Sequence, residues 1–588
     1  MTESAPTSTN PRPERFVHNF KVHVLVGLGY ALIAFICFAP ALIDPTHHVI
    51  GQGGPDSLQK MWFLSWTPFA IGHHQQVLYS SAINYPNGIN VMWNTGTLFL
   101  GVVFAPVTAL FGPVAAFNVA MFIAVLASAW CAYWAIGRYV PSRVGSIVGG
   151  LIYGFSPYMM GESLGHLTLL TMVFPPIALV LFHEIVVLQR YRWWVLGTLL
   201  GVASAAQVFI SEEVLASTAL VAMVGLAAVA GFSRQHIRAR LPYVLRATLV
   251  GGGVALLLSG WALLYQFTGP AQVHQTLQGY GAFVTDPLGF FIPTANQFIA
   301  PPFLVGLTQH FRGNLSEWNA YLGLPLIGLL LWIARRNWKA RLVRVVTCTA
   351  IATTILSFGP HVVLRGHQFP IPLPWLVTQH IPLLKDLLPS RFMAFVYLLA
   401  GLLVAYGISR IPATSRQTRW GVGITLVAAG MFLVPALPRP TASLPVDTTI
   451  PTQVAQDLRT GGVVLFSPYS TENDADALLV QAENDFAFSI PGGYAYAPDL
   501  PPIASPSPLA VLDDPASVDV QHAVLTDALG RQGARAKLRE AHINTLVVLA
   551  GPHASQFTAF WTAVLGVRPA VYDGVAVWTH VPTLTGGA

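Results

Sequence analysis

The stretch VHVLVGLGYALIAFICFAPALI, residues 22–43, decides the fold class, because it contains no Asp, Glu, Lys or Arg. A bilayer core about 30 Å thick needs roughly 20 apolar residues per helix, so this stretch predicts a membrane-spanning helix. Lys21 precedes it and Asp44 follows it. Cytoplasmic loops collect Lys and Arg, so we expect its amino end to face the cytoplasm and its carboxyl end to face outside.

The same pattern continues outward along the chain as far as residue 437. Apolar runs alternate with short polar breaks, and every second break is rich in Arg and Lys. The chain is 54% hydrophobic and 10% charged, whereas a soluble domain is typically about 25% charged. The charge alternation predicts about eleven spans in an α-helical polytopic membrane protein of the plasma membrane. The predicted spans are 22–43, 115–137, 144–160, 167–187, 193–210, 214–231, 243–267, 319–334, 342–358, 392–409 and 419–437.

Residues 97–111 are apolar but short, and they contain Pro106. If they were a full span, every later Arg-rich break would face outside, against the charge rule. We therefore expect a re-entrant or juxtamembrane helix here, which is tolerated only where protein covers it.

The composition divides the chain into a cytoplasmic tail (1–21), a membrane domain (22–437) and a C-terminal domain (438–588). The membrane domain has three predicted outer loops, at 44–96, 268–318 and 360–391. In the C-terminal domain, short strand-like runs alternate with a charged helical stretch, which predicts a small extracytoplasmic α/β domain. These runs are GVVLFS (462–467), NTLVVLA (544–550) and GVAVWTHV (574–581), with the helix at 531–541.

Composition also excludes several classes of function. The cysteines Cys37, Cys131 and Cys348 all lie inside apolar runs, which argues against a disulfide framework or a thiolate metal site. The net charge of +6 comes mainly from loops predicted to contact anionic headgroups, so we expect membrane lipids and no nucleic acid as partners. No phosphate-cradling glycine loop or dinucleotide fingerprint is present, and no organic cofactor is expected.

The first outer loop carries Asp56 directly after the turn at 53–55. Asp56 and Ser57 can cap an amphipathic helix, and a cap is the structural interpretation of Asp56. The functional alternative is a general base at the water–membrane boundary. The helix carries aromatic side chains suited to the membrane interface. They are Trp62, Phe63 and Trp66.

Two further outer breaks concentrate acidic residues. Glu162 and His166 are four apart and would share a face of a continuing helix. An acid–histidine pair near a membrane is costly and usually functional, although a polar loop capped at Ser163 is the alternative. Glu212 and Glu213 are adjacent, so they cannot both point at one ligand on a regular helix, and both can instead favour a helix N-terminus.

Four stretches carry a family resemblance: GGPDSLQKMWFLSW (53–66), FSPYMMGESLGHLTLL (155–170), EWNAYLGLPL (317–326) and LLPSRFMAF (387–395). They resemble bacterial members of the GT-C superfamily of integral-membrane glycosyltransferases. The resemblance implies a polyprenyl-phosphate-linked sugar donor, a GT-C-like helical fold and a catalytic or metal-binding Asp in the first outer loop, here Asp56. The acidic pair typical of metal-dependent sugar transfer is absent, since Asp56 stands between Pro55 and Ser57.

A lipid-linked donor presents a phosphate, which needs a cation on the outer side. Arg391 begins a helix after a Pro-Ser turn, a position that suits phosphate, although snorkelling without a ligand is the alternative. Lys385 and Arg312 are further candidates. The long loop 268–318 holds further polar and aromatic groups that can shape a sugar site. They include Glu317 and Trp318.

These observations lead to one hypothesis and two alternatives. The hypothesis is transfer of a sugar to a glycan, glycolipid or protein outside the cytoplasm, with Asp56, Glu162 and His166 catalytic. Arg391, Lys385 and Arg312 would bind the donor phosphate, and any divalent cation is left open. The alternatives are a transporter or flippase of lipid-linked or polar substrates, and a non-catalytic envelope assembly factor. Predicted contacts to the acceptor are Glu212, Glu213, Trp62, Trp318 and Glu317.

Overall fold

The structure is a computed structural model that describes most of the chain from residue 20 onward. The predicted tail, residues 1–21, lies almost wholly outside the described residues, as does most of the Pro-rich stretch 497–508. The described residues are 20–232, 234–274, 279–381, 384–412, 416–444, 462–471, 474–498, 508–514 and 516–586.

The membrane part is helical, as predicted. Within the described residues, six helical stretches are long and apolar enough to cross a membrane, so the chain is an integral membrane protein. The total of about eleven spans stays a prediction. The helices are α1 Phe20–Ile43, α2 Pro55–Gly72, α3 Leu98–Ile136, α4 Arg143–Gly154, α5 Pro157–Glu162, α6 Leu167–Leu170, α7 Phe174–Phe182, α8 Trp193–Val208, α9 Glu212–Phe232, α10 Arg234–Thr268, α11 Pro302–Thr308, α12 Gly323–Arg336, α13 Arg341–Ser357, α14 Met393–Ser409 and α15 Arg416–Leu433.

Helix α3 contains a sharp break at Gly112. Gly112 has a φ of 82° and a ψ of 175°, a conformation that favours glycine. Pro113 follows, and a proline drives the residue before it out of the helical region. The stretch 98–111 is therefore a helix separate from the remainder of α3, and its re-entrant placement remains a prediction.

Acidic and basic segments lie at opposite ends of the helices. Helices α9 and α14 begin side by side, since Glu213 at the start of α9 pairs with Arg391 just before α14. At the other end of α9, the Arg344 guanidinium lies 4.9 Å from the centre of the Phe232 ring. A helix of 21 residues is about 32 Å long, so the two ends are separated by roughly the hydrocarbon thickness of a bilayer.

Three short strand pairs lie in the loops between and after the helices of the membrane part. β1 pairs antiparallel with β6, which returns the chain beyond Pro438 to the first outer loop. The other two pairs are local hairpins. The strands are β1 His48–Ile50, β2 Tyr79–Ser80, β3 Ile89–Asn90, β4 His361–Leu364, β5 His367–Pro372 and β6 Thr441–Ser443.

The C-terminal domain is a small α/β unit, as predicted. In its described residues four strands form one sheet in the order β7-β8-β10-β9, with β7 parallel to β8 and the other neighbours antiparallel. All three strand-like runs and the charged helix are confirmed. The elements are β7 Val463–Ser467, α16 Asp476–Glu483, α17 Pro508–Leu512, α18 Val518–Thr526, α19 Ala528–Glu540, β8 Ile543–Val548, α20 Ala554–Leu565, β9 Ala570–Tyr572, β10 Val575–Trp578 and α21 Val581–Leu584.

Helix α16 packs against α2 and covers its aromatic face. The buried Gln481 amide oxygen accepts a hydrogen bond of 2.6 Å from the Trp62 indole, and Phe486 lies edge-on to Trp62 and Trp66. The placement of these tryptophans at the membrane interface is therefore wrong. An apolar helix face can be covered by lipid or by protein, and here protein from the C-terminal domain covers it.

Candidate active site

Asp56 lies in the first turn of α2, with Gly54 as the N-cap and Pro55 at the first helical position. Its side chain caps nothing, so the structural interpretation of Asp56 as a cap is wrong. One carboxylate oxygen, Oδ2, lies 3.3 Å from His166 Nε2, and the other, Oδ1, accepts a bond of 3.1 Å from the Tyr494 hydroxyl. The side chain is 49% exposed, which leaves room for a substrate on its open side.

His166 stands between two carboxylates. Helix α5 ends at Glu162, and the chain continues so that the His166 N–H donates to the Glu162 carbonyl at 2.9 Å. This turn brings His166 Nδ1 to 2.7 Å from Glu162 Oε2, as the spacing of four predicted. Glu162 is fully buried. The result is an Asp56–His166–Glu162 row that runs from the surface into the protein.

The protonation of this row follows from its neighbours. Burial alone would lower the pKa of His166, but hydrogen bonds to Asp56 and Glu162 raise that pKa to about 10, so the ring is an imidazolium at neutral pH. Burial and the neighbouring Glu317 raise the pKa of Glu162 to about 7, against the pull of His166. Burial would raise the pKa of Asp56, but the hydrogen bond to His166 outweighs burial and lowers that pKa. Water screens this effect, because the Asp56 side chain is half exposed.

A second row centres on Arg391. Its Nε and Nη2 donate to Glu317 Oε1 at 2.9 and 2.7 Å, and its Nη1 donates to Glu213. The Ser390 hydroxyl donates to the other Glu317 oxygen at 2.7 Å. Charges this deeply buried persist only when paired, and Arg391 pairs with both acids.

The two rows meet at Glu162, His166 and Glu317, whose nearest side-chain atoms all lie within 4.8 Å of one another. Elements that are distant in sequence therefore build one continuous cluster. We call it the charge network, and its members are Asp56, Glu162, His166, Glu213, Glu317 and Arg391.

The meeting point has the atom types of a metal site, and Glu162 Oε1 is buried there without a hydrogen-bond partner, but the other candidate ligand atoms already have partners. Both ring nitrogens of His166 bond carboxylates, and both Glu317 oxygens accept from Arg391 or Ser390. A histidine ligand must offer a free nitrogen lone pair, which His166 lacks in this arrangement. In this arrangement the donor set does not fit a divalent cation, and we derive no step through one.

No role was predicted for Lys60, and the structure places it beside Asp56. It follows Asp56 by one helical turn, and its Nζ lies 3.3 Å from the carbonyl oxygens of both Asn94 and Thr95. Burial lowers the pKa of Lys60 to about 8, and the Asp56 carboxylate opposes that shift. The spacing of four from Asp56 could have identified it. Tyr494 gave no such signal, because it lies 438 residues beyond Asp56.

The other predicted contacts bond elsewhere. Glu212 accepts from the Gln266 amide at 3.2 Å, pointing away from its neighbour Glu213 as adjacency requires. The Arg312 guanidinium donates to the Gly366 carbonyl and to the Gln368 side-chain oxygen, while the Arg312 carbonyl accepts from the Trp318 indole at 3.0 Å. Two predicted contacts remain. Lys385 is half-buried in the turn Leu384–Asp386, and Trp62 is buried under the C-terminal domain.

With this geometry in place, comparison with known families is informative. A family model described as "Domain of unknown function (DUF6311)" matches residues 26–434. The chain belongs to the DUF6311 family. The match ends before the C-terminal domain, so Tyr494 lies outside the DUF6311 region. No curated protein matches the chain.

Solved structures show what the DUF6311 fold resembles. Arabinofuranosyltransferase AftD from Mycobacteria is similar at 15% identity and a TM-score of 0.54, over 97% of this chain and 42% of AftD. The chain thus spans about two fifths of AftD's length. This likeness confirms the predicted GT-C-like fold. Two others are oligosaccharyltransferase from Archaeoglobus fulgidus (11% identity, 94% of this chain, 72% of that one, TM-score 0.49) and ArnT from Cupriavidus metallidurans (12%, 97%, 99%, 0.48).

Proposed function

We propose that this protein is a membrane glycosyltransferase that moves a sugar from a polyprenyl-phosphate donor to an acceptor hydroxyl outside the cytoplasm. The observation that carries the proposal is the half-exposed Asp56 carboxylate, backed by the buried His166–Glu162 pair and joined to Arg391. A scaffold would have no need to concentrate so many buried ionisable groups in one place. The fold of a membrane arabinofuranosyltransferase, AftD, also supports it.

In the proposed reaction, the acceptor oxygen attacks the anomeric carbon of the sugar. A new carbon–oxygen bond forms, and the acceptor proton passes to Asp56. The bond between the anomeric carbon and the phosphate oxygen breaks, and its electron pair leaves with the polyprenyl phosphate. Direct displacement of this kind inverts the anomeric centre.

His166 and Glu162 support Asp56 in two ways. The imidazolium keeps the Asp56 carboxylate ionised and oriented before reaction. Glu162 accepts the Nδ1–H of His166 and so holds the imidazolium beside Asp56, and the proton that Asp56 gains leaves to water from its exposed side. A positioned general base of this kind contributes typically about 10²–10⁴-fold to a rate.

The leaving phosphate needs positive charge. Arg391 donates three N–H groups to Glu213 and Glu317. A guanidinium has five N–H donors, so two remain to bind a phosphate. We propose Lys60, beside Asp56, as a second cation at the reacting end. Lys385 and Arg312 are retained as contacts to the outer part of the donor.

The proposed orientation places the N-terminus in the cytoplasm and the charge network with the C-terminal domain outside. It is supported by the separation of the network from the basic helix ends by about one bilayer thickness. The acceptor would be a cell-envelope glycan, a glycolipid or a protein.

The proposal is tested by incubating the purified full-length protein in lipid nanodiscs with a panel of radiolabelled polyprenyl-phosphate sugars and envelope acceptors. We expect one donor to be consumed, with label appearing in an acceptor. Binding of donors without turnover of any of them would contradict an enzymatic function.

A further inference from the structure

Both oxygens of the Asp56 carboxylate are held, but from different parts of the chain. His166, in the membrane part, bonds Oδ2 at 3.3 Å, and the Tyr494 hydroxyl donates to Oδ1 at 3.1 Å. A carboxylate bonded on each oxygen cannot rotate freely about its terminal torsion. The orientation of the proposed base therefore depends on the C-terminal domain, which lies beyond the DUF6311 match.

The backbone leading to Tyr494 is anchored on the first outer loop. The Ile490 N–H donates to the Ala82 carbonyl at 2.8 Å, and its own carbonyl accepts from the Tyr85 N–H at 3.1 Å. Two residues on, the Gly492 carbonyl accepts from the Asn84 N–H at 2.8 Å. These bonds run between backbone groups, so this approach to Asp56 does not depend on side-chain conformation.

Side chains of the membrane part hold the segment at and beyond Tyr494. The Gln59 amide donates to the Tyr494 carbonyl at 2.8 Å. The Asn94 side chain accepts from the Tyr496 N–H at 2.6 Å and donates to the Tyr496 carbonyl at 2.9 Å. Since Asn94 also offers its carbonyl to Lys60, the segment is tied to the proposed site at several points.

The turn that presents Tyr494 requires its two glycines. Gly493 has a φ of +133°, which side chains rarely adopt. A Cβ on Gly492 would lie 2.5 Å from the Ser470 carbonyl oxygen. The chain can pass between the C-terminal domain and α2 because both positions lack a side chain.

We propose that the C-terminal domain completes the active site, with Tyr494 as a positioning residue that fixes the Asp56 carboxylate for proton abstraction; this inference rests on the proposed glycosyl transfer. The segment 490–496 is the structural link, and the Tyr494 hydroxyl is its contact with the base. Misplacement of a reacting group by about 1 Å can cost on the order of 10²-fold in rate, so orientation of this kind affects the chemical step.

The experiment is Tyr494→Phe in the full-length protein, assayed for kcat and KM with the donor that the wild type uses. We expect kcat to fall about tenfold while KM changes less than about twofold, because orientation affects the transition state and leaves binding unchanged. Thermal unfolding of the variant should match the wild type. Tyr572→Phe, the same change on β9 of the same domain, is the matched control and should keep full kcat.

An unchanged kcat for Tyr494→Phe, with or without a rise in KM, would overturn the inference. A fall in kcat accompanied by a thermal midpoint clearly below that of the wild type would also overturn it, since that marks a structural role. A wild type that transfers no sugar contradicts the proposed function instead, so the two failures are distinguishable.

Discussion

The two ends of the helices differ in the surroundings of their charged side chains. At the site end, charged side chains are buried and bonded to one another, as in Glu162 with His166 and Glu317 with Arg391. Taking such groups out of water is expensive, and removing one partner leaves the other buried and unpaired. A protein keeps such an arrangement where it performs chemistry.

At the basic end, several cations lie over aromatic rings, and Arg190, whose side chain is 42% exposed, pairs with the buried Glu184. The guanidinium of Arg138 is 4.9 Å from the centre of the Trp134 ring, and that of Arg410 is 5.0 Å from the Tyr406 ring. These cations sit near helix ends, where headgroups and water solvate them. We infer the orientation in the membrane from the cations at the basic end, and the function from the buried charges at the site end.

The largest expected effect is on activity at the open end of the network. Asp56→Asn should lower kcat by about 10³-fold or more, since an amide cannot accept the acceptor proton. Thermal unfolding should change little, because the amide can still accept from Tyr494. Steady-state transfer assays on the purified protein measure this.

Asp44→Asn is the matched control for that substitution. Asp44 lies in the same outer loop, is exposed and bonds His47 outside the network. Its substitution should leave kcat within about twofold. Equal loss of activity in the two variants, or none in Asp56→Asn, would remove Asp56 from the mechanism.

The next largest effect compares one arginine from each end. Arg391→Gln should lower the free energy of unfolding by about 3–5 kcal/mol, because Glu213 and Glu317 are left buried without their cation. Arg410→Gln, at the basic end, should change it far less. Thermal unfolding of both variants in one detergent measures the difference, and similar shifts would show that the pairing at the site end has no special stabilising role.

A smaller effect concerns pH. The pKa of His166 is raised to about 10 from an ordinary value of 6.5 by its bonds to Asp56 and Glu162, with Glu317 nearby. Its stabilising contribution is therefore complete below about pH 6.5 and is lost as pH rises through about 10. The thermal midpoint of the wild type should fall more between pH 7 and 10 than that of His166→Asn. Parallel pH profiles would contradict this protonation.

The smallest expected effect is that of a chelator. Because both nitrogens of His166 bond carboxylates, treatment with EDTA should leave kcat within about twofold. Activity that is lost with EDTA and restored by Mn²⁺ or Mg²⁺ would show that the network rearranges around a cation.

Local spacing predicted part of the site. The spacing of Glu162 and His166 placed them on one face, and adjacency separated Glu212 from Glu213. Charge alternation predicted the helical membrane fold and the breaks between helices that hold the network. These features depend on residues within a few positions of one another, or on composition.

Long-range pairing could not be predicted in this way. Arg391 and Glu317 were assigned to phosphate and acceptor, and only packing shows that they bond each other across 74 positions. Trp62 was predicted to lie at the membrane interface and to contact the acceptor, because apolar patterning does not distinguish an interface from a surface covered by protein. Tyr494 bonds Asp56 from the C-terminal domain, and sequence patterns do not predict where that domain packs against the membrane part.

The most direct test asks whether a bond is broken. Purified protein in sealed proteoliposomes is given its polyprenyl-phosphate sugar and an acceptor, and the lipids are followed by mass spectrometry. Free polyprenyl phosphate should accumulate in step with glycosylated acceptor. Passage of the intact donor across the membrane with no free polyprenyl phosphate would contradict the account and identify a flippase.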